Sequence, residues 1–249
     1  GYHFIGISPD ESARHGWDYN AETYAWVEAQ VAAAYADTGA DKPIFVFQHV
    51  PDFQQEYGTC EHVGSEGGTP TLQSIYERYP NVVRFAGHIH APITDEYIIY
   101  QNKYTSLGTG TLHYSTRPTA NGEKMDMNNR YSTDQAYVVE VDAANRTRVR
   151  VWDISENKFV AGTYILDSYK TEDFKYNENR FTEEDLFFAD DAELNLVKVT
   201  GNLAAFSFSP VSPDSITARG YHLVVEDTAG KVVKQRYVSW DYFNLDYTT

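Results

Sequence analysis

The chain has 249 residues, of which 20 are basic and 36 are acidic, and its formal net charge is −16. This balance excludes a general nucleic-acid or anionic-membrane surface, because binding to phosphate groups requires clustered Lys and Arg. The single cysteine, Cys60, excludes a disulfide within the chain, and no stretch has the length and apolar character of a transmembrane helix. The length is sufficient for a sizeable core and for two domains.

The first ninety positions alternate between predicted strands and predicted helices. Three apolar runs are typical of buried strands, and the two segments between them carry apolar residues at helical spacing. The strands are predicted at residues 2–7, 43–47 and 82–86, and the helices from Asn20 to Gly39 and from Thr69 to Pro80. This order predicts parallel neighbouring strands in an α/β layer, because each connection is long enough for a crossover.

Three histidines follow two of these predicted strands. His49 comes after the second strand and before Pro51, which cannot continue a central strand, while His88 and His90 come after the third. Gly87 is expected to let the backbone turn there. Parallel strands share one carboxyl edge, so we expect the imidazoles to meet in one crevice. A lone histidine is more often structural, but three at neighbouring strand ends indicate shared metal ligands.

The sequence around these histidines resembles the calcineurin-like metallophosphoesterase superfamily, and its bacterial extracellular branch in particular. The resemblance is carried by His49-Val50-Pro51 after a strand and by Gly87-His88-Ile89-His90 after the next, and it extends over residues 1–166. It implies a four-layer αββα sandwich, of the α/β (α+β) class, with two divalent or trivalent metal ions (Mn, Fe or Zn) at one edge. By position, His49 and His88 would ligate one ion and His90 the other.

Other motifs of that family do not occur in this sequence. They are Asp-x-His, Gly-Asp-x-x-Asp and Gly-Asn-His-Asp/Glu, which supply the other half of the metal site upstream of the residue seen here as His49. Three imidazoles without a bridging aspartate cannot hold the metal pair that two-metal hydrolysis requires. We therefore expect the chain to be the C-terminal part of a catalytic domain, inactive without the preceding part.

After the histidine motif the pattern predicts β structure. Short strands are expected at residues 96–100 and 104–107, and a hairpin is expected from 136–141 and 147–152, whose second strand alternates apolar and polar residues. The polar stretch from Pro118 to Ser132 is predicted to be a long exposed loop.

The sequence predicts two domains joined by a connector. Residues 1–168 form the catalytic part, residues 169–190 the connector, and residues 191–249 a small all-β module similar to part of a fibronectin type III or immunoglobulin-like sandwich. Four strands are predicted there, at residues 194–199, 204–208, 221–226 and 231–238. Because the segment is too short for a complete sandwich, we expect open strand edges that can support self-association.

Four further residues are candidates for supporting roles near the metal site. His62, in the loop between the two histidine-bearing strands, and His113, after a glycine-rich run, are candidates for substrate contacts; the alternative is that each is a solvated loop histidine. Asp52 and Asp95 could orient an imidazole N–H, although such residues more often cap turns.

The resemblance implies phosphoester hydrolysis, by a phosphomonoesterase or a phosphodiesterase, with this chain supplying half of a dinuclear site. The substrate would be a small-molecule or surface phosphoester, and the location extracellular or at a bacterial cell surface. The alternative is a non-catalytic cell-surface or adhesion module that keeps the fold. The preceding sequence discriminates between the two, because only the enzyme requires the upstream aspartate and asparagine motifs.

Overall fold

A computed structural model describes residues 1–9, 19–56, 59, 71–118, 125–128, 134–201, 203–218 and 220–238. They divide into two compact units. The first unit comprises residues 1–180, and the second unit begins at Phe181. The division falls inside the segment predicted as a connector.

A five-stranded sheet forms the centre of the first unit. In spatial order it contains β1 (His3–Gly6), β2 (Ile44–Gln48), β3 (Val82–Ala86), β5 (Thr105–Gly108) and β4 (Ile99–Gln101). The first four strands of that order run parallel, and β4 is antiparallel to β5. The predicted parallel arrangement of the first three strands is therefore confirmed.

Two helices cover one face of this sheet. Helix α1 (Ala21–Thr38) begins after Asn20, whose side chain accepts a hydrogen bond from the Thr23 N–H. Helix α2 (Leu72–Tyr76) is capped by Thr71 and has five residues. It is therefore shorter than the predicted helix. Their buried residues pack with apolar residues of the strands; this cluster includes Val27, Val31, Leu72, Ile75, Ile44, Val46 and Val82.

A second sheet covers the opposite face. It is antiparallel, in the order β10 (Lys158–Leu166), β9 (Thr147–Asp153) and β8 (Gln135–Val141), and it contains the predicted hairpin. Side chains of both sheets share one core, which includes Phe45, Val83, Phe85, Leu107, Val149 and Leu166. The described part of the first unit thus places helices, a mixed sheet and an antiparallel sheet in successive layers. The fold is mixed α and β and rich in sheet.

Two local predictions in this unit need correction. The predicted loop after Pro118 contains a strand, because β6 (Ser115–Pro118) pairs antiparallel with β7 (Met125–Asn128). The sequence of β7, Met-Asp-Met-Asn, alternates apolar and polar residues, a period-two pattern that its polar surroundings hide. In addition, residues Glu96–Ile98 form a 3-10 turn rather than a strand, since the Asp95 carboxylate accepts a hydrogen bond from the Tyr97 N–H.

The second unit contains the four predicted strands as two separate hairpins. Strands β11 (Leu194–Thr200) and β12 (Leu203–Phe208) form one antiparallel pair, and β13 (Tyr221–Glu226) and β14 (Val232–Val238) form the other. Every residue of β11 is exposed. Closure of these hairpins into a sandwich stays a prediction.

Candidate metal centre

The imidazoles of His49 and His88 are in direct contact. Residue His49 follows β2 directly, and His88 lies two residues beyond β3; the ends of these strands are neighbours, because Gln48 is paired with Ala86. The distance from His49 Nε2 to His88 Nδ1 is 3.2 Å, and the ring planes are inclined at 76°. One nitrogen donates its hydrogen to the other, so the two rings are held with nitrogens facing each other.

The backbone of the histidine motif adopts an uncommon conformation. His88 and His90 have φ values of 67° and 59°, and the Ile89 N–H donates to the Gly87 carbonyl over 2.8 Å. For residues other than glycine, left-handed backbone costs about 1–3 kcal/mol and is concentrated at functional sites. The sharp turn expected at Gly87 is therefore made by the histidines themselves, and this conformation directs their side chains.

The third histidine, His90, is fixed by the segment around β6. Its Nδ1 lies 2.9 Å from the carbonyl oxygen of Tyr114, and its ring packs on the Tyr114 ring at 4.3 Å between centroids. A carbonyl oxygen can only accept, so His90 Nδ1 carries the hydrogen and Nε2 has the free lone pair. Metal-ligating histidines commonly have this arrangement. The Thr116 hydroxyl and N–H hold the backbone by donating to the carbonyls of Ile89 and His90.

Partial shielding of the His49 ring from water, and then the electrostatic influence of His90, lower the pKa of His49 below its usual value. A lowered pKa keeps His49 neutral at physiological pH, and only the neutral ring can coordinate a metal ion.

The geometry of the pair fits two ligands of one metal ion. With metal–nitrogen distances of about 2.0–2.1 Å, two imidazole nitrogens on one tetrahedral or octahedral ion lie about 2.9–3.4 Å apart. The observed 3.2 Å falls in this interval. Among the residues that the structure describes, however, no group of three or more His, Cys, Asp or Glu could hold a metal ion. The described residues therefore bring together two of the three predicted imidazole ligands, His49 and His88.

Asp52 bonds to groups other than an imidazole. Its carboxylate accepts hydrogen bonds from the Tyr104 hydroxyl at 2.6 Å, Arg84 Nε at 3.1 Å and Gln48 Nε2 at 3.3 Å. It is completely buried. In this structure Asp52 therefore does not orient a histidine. It belongs instead to a buried polar network next to the site.

A buried ion pair completes this network. The Arg84 guanidinium contacts both carboxylate oxygens of Glu56, with Nη1 at 2.6 Å and Nη2 at 2.9 Å, and all of these side chains are shielded from solvent. Burial acts to lower the pKa of Arg84, but the facing carboxylates of Glu56 and Asp52 raise it well above its usual value. Sequence analysis missed this network, although an arginine inside the apolar run 82–86 indicated that a buried partner was needed.

The structure describes one of the two histidines that were predicted to contact substrate. His113 is exposed, its N–H donates to the Thr111 hydroxyl, and its ring meets the edge of the Tyr114 ring at 5.5 Å. The Tyr114 ring also packs on His90, so it contacts both histidines. His62 lies outside the described residues.

No protein-family model and no curated protein matches this chain. Within the described ranges, no helix is both long enough and apolar enough to span a membrane.

Proposed function

We propose that His49, His88 and His90 are the imidazole ligands of a dinuclear metal centre that hydrolyses phosphoesters. The observation that carries this proposal is the 3.2 Å approach of His49 Nε2 to His88 Nδ1 at two neighbouring strand ends. The carboxylate ligands, and the remaining layer of an αββα sandwich, would come from sequence outside these 249 residues. The first unit would then be one half of an extracellular or surface phosphomonoesterase or phosphodiesterase.

Each histidine has a distinct task in this proposal. His49 and His88 would hold one ion, and His90 would hold the other through Nε2, because its Nδ1 donates to the Tyr114 carbonyl. When bound, the two ions would supply a hydroxide nucleophile and stabilise the negative charge that develops on the phosphoryl oxygens. His113, exposed beside Tyr114, would contact the ester in this proposal.

Phosphatase assays on the protein extended through its preceding sequence test the proposal. The probes are p-nitrophenyl phosphate and bis(p-nitrophenyl) phosphate, with added Mn²⁺, Fe³⁺ or Zn²⁺. We expect His88→Ala to reduce the metal-dependent rate by more than about 100-fold, since losing a direct ligand exceeds the effect of losing its orienting partner. His222→Ala in the second unit is the matched control and should leave the rate unchanged.

Three results would contradict the proposal. The first is metal-dependent turnover that survives His88→Ala, and the second is efficient turnover by the 249-residue chain on its own. The third is a folded extended protein that binds no metal and hydrolyses neither probe, which would favour a non-catalytic surface module.

A further inference from the structure

Arg84 lies on β3, the middle strand of the five-stranded sheet, and is 0% exposed. It alternates along β3 with Val83 and Phe85, which face the second sheet, so its side chain extends toward the helix-covered face. There its guanidinium contacts Glu56 through two nitrogens and Asp52 through the third. One arginine thereby joins the centre of the sheet to the segment that follows β2.

The three charges of this network depend on one another. With one positive and two negative groups, the network has a formal charge of −1, and hydrogen bonds donated by Tyr104 and Gln48 further stabilise Asp52. A buried charge without a partner is strongly unfavourable. Residues 52–56 are therefore held against β3 as long as Arg84 keeps its contacts.

The same network reaches both sides of His49. Gln48, the residue before it, donates to the Val50 carbonyl at 2.6 Å and to Asp52, and accepts a hydrogen bond from the Tyr76 hydroxyl at 2.8 Å. Val50, the residue after it, is almost fully buried. His49 itself is exposed and lies between two fixed residues. The backbone at His49 is thus held by its neighbours in sequence, and its ring is held by the contact with His88.

We propose that Arg84 is a positioning residue for the metal centre, which holds the turn at His49 through Asp52 and Glu56 so that its imidazole meets His88. This inference rests on the proposed function, in which the two rings are ligands. Arg84 itself does not touch a metal ion or substrate, and it acts through the backbone of residues 48–56.

Nitrogen NMR of the imidazoles in the 249-residue chain, without metal, tests this role. In the wild-type chain, His49 and His88 should each show a single dominant tautomer, with one imidazole N–H shared between the two rings. Glu56→Gln replaces one carboxylate oxygen by an amide NH₂, which cannot accept a hydrogen bond from the guanidinium. Arg84→Lys replaces the guanidinium by an ammonium group, which cannot make the two parallel contacts with Glu56. Both variants should lose the shared N–H signal and show averaged tautomers. The matched control is Glu28→Gln, which breaks the half-exposed ion pair with Arg78 and should retain the signal.

A triple variant covers the case in which single substitutions do not fold. Asp52→Asn, Glu56→Leu and Arg84→Met together remove all three charges, and a buried ion network can often be replaced by apolar side chains without loss of stability. A folded triple variant without the shared N–H supports the positioning role. Wild-type imidazole signals in any folded variant would overturn it, and so would a triple variant that cannot fold, because the network would then maintain the whole unit. Failure of the phosphatase assays would leave these signals unchanged, so the two proposals can be judged separately.

Discussion

The two units use similar strands but bury them very differently. In the first unit, Ile44 and Val46 of β2 are 0% exposed, whereas Leu196 and Val199 of β11 in the second unit are 57% and 62% exposed. Both strands have backbone hydrogen-bond partners on a neighbouring strand. Strand pairing by itself therefore does not bury apolar side chains, and the difference comes from the layers packed on each face.

This difference has an energetic consequence for the second unit. A lone two-stranded hairpin is marginally stable in water, because it lacks a buried apolar face. The described part of the second unit has two hairpins, which meet where the rings of Phe208 and Tyr221 pack at 4.9 Å between centroids. Both hairpins nevertheless carry large exposed apolar residues, such as Leu203, Phe206 and Val233. Self-association through these faces and edges stays a prediction.

Hydrogen exchange should show the largest contrast between the units. Amides of β2 and β3 are expected to exchange only through global unfolding, whereas those of β11 and β12 should exchange through low-energy local opening, several powers of ten faster. The measurement is residue-resolved exchange on a chain shown to be monomeric at the concentration used. If residues 194–208 of that monomer were protected as strongly as β2 and β3, the expected contrast would be wrong, because the hairpin would then be covered.

A matched pair of leucine truncations should give the next largest effect. Leu107 in β5 is 0% exposed, and Leu107→Ala should lower the free energy of unfolding of the first unit by about 2–5 kcal/mol. Leu196→Ala, at a 57% exposed position, should change the free energy of unfolding of the second unit by less than about 0.5 kcal/mol.

Urea unfolding monitored separately for each unit checks this pair. A cost for Leu196→Ala comparable to that for Leu107→Ala would show that the side chain is buried in solution. Repeating the measurement at several protein concentrations would then identify association as the cause, since an effect of association grows with concentration.

The elements that follow from local patterns were predictable from the sequence. The strands around Ile44 and Val82 are continuous apolar runs between turn signals, so their positions and parallel order followed directly. The placement of His49 and His88 at neighbouring strand ends followed from the same topology. Open strand edges in the second unit were expected from its short length, but the exposure of every residue of β11 was not predictable, because the alternation of β11 is the same whether or not a second layer covers it.

The interactions that sequence analysis missed depend on contacts between distant residues. Arg84 and Glu56 are 28 positions apart, and Tyr104 and Asp52 are 52 apart, so no local pattern connects them. The left-handed backbone of His88 and His90 was equally hidden, because non-glycine residues rarely adopt it. In both cases the unpredicted feature lies at the candidate site, where local preference is overridden.

Two tyrosine hydroxyls, one in each unit, should give the smallest but most specific contrast. The hydroxyl of Tyr137 is buried without a hydrogen-bond partner among the described residues, whereas the hydroxyl of Tyr221 in the second unit accepts a hydrogen bond from the Val211 N–H. Tyr137→Phe should therefore stabilise the first unit by about 1 kcal/mol, and Tyr221→Phe should destabilise the second by a similar amount. Urea unfolding at pH 7 measures both, and a loss of stability in Tyr137→Phe would reveal an unrecognised partner of its hydroxyl.

The pH dependence of Tyr137→Phe adds a second test within the first unit. Burial, and then the neighbouring Tyr164, Glu56 and Asp95, raise the pKa of Tyr137 well above its usual value of 10.0. Above pH 10 the unfolded chain therefore loses a proton that the folded chain retains, so the stabilisation is complete below that pH and decreases as the pH rises. Phenylalanine cannot ionise, and the advantage of Tyr137→Phe over wild type should grow between pH 9 and pH 11. Desolvation also raises the pKa values of Tyr104, which is buried, and of Tyr164, which is partly buried. The variant should therefore still lose some stability at alkaline pH. An advantage that is the same at both pH values would show that Tyr137 ionises as readily in the folded chain as in the unfolded one.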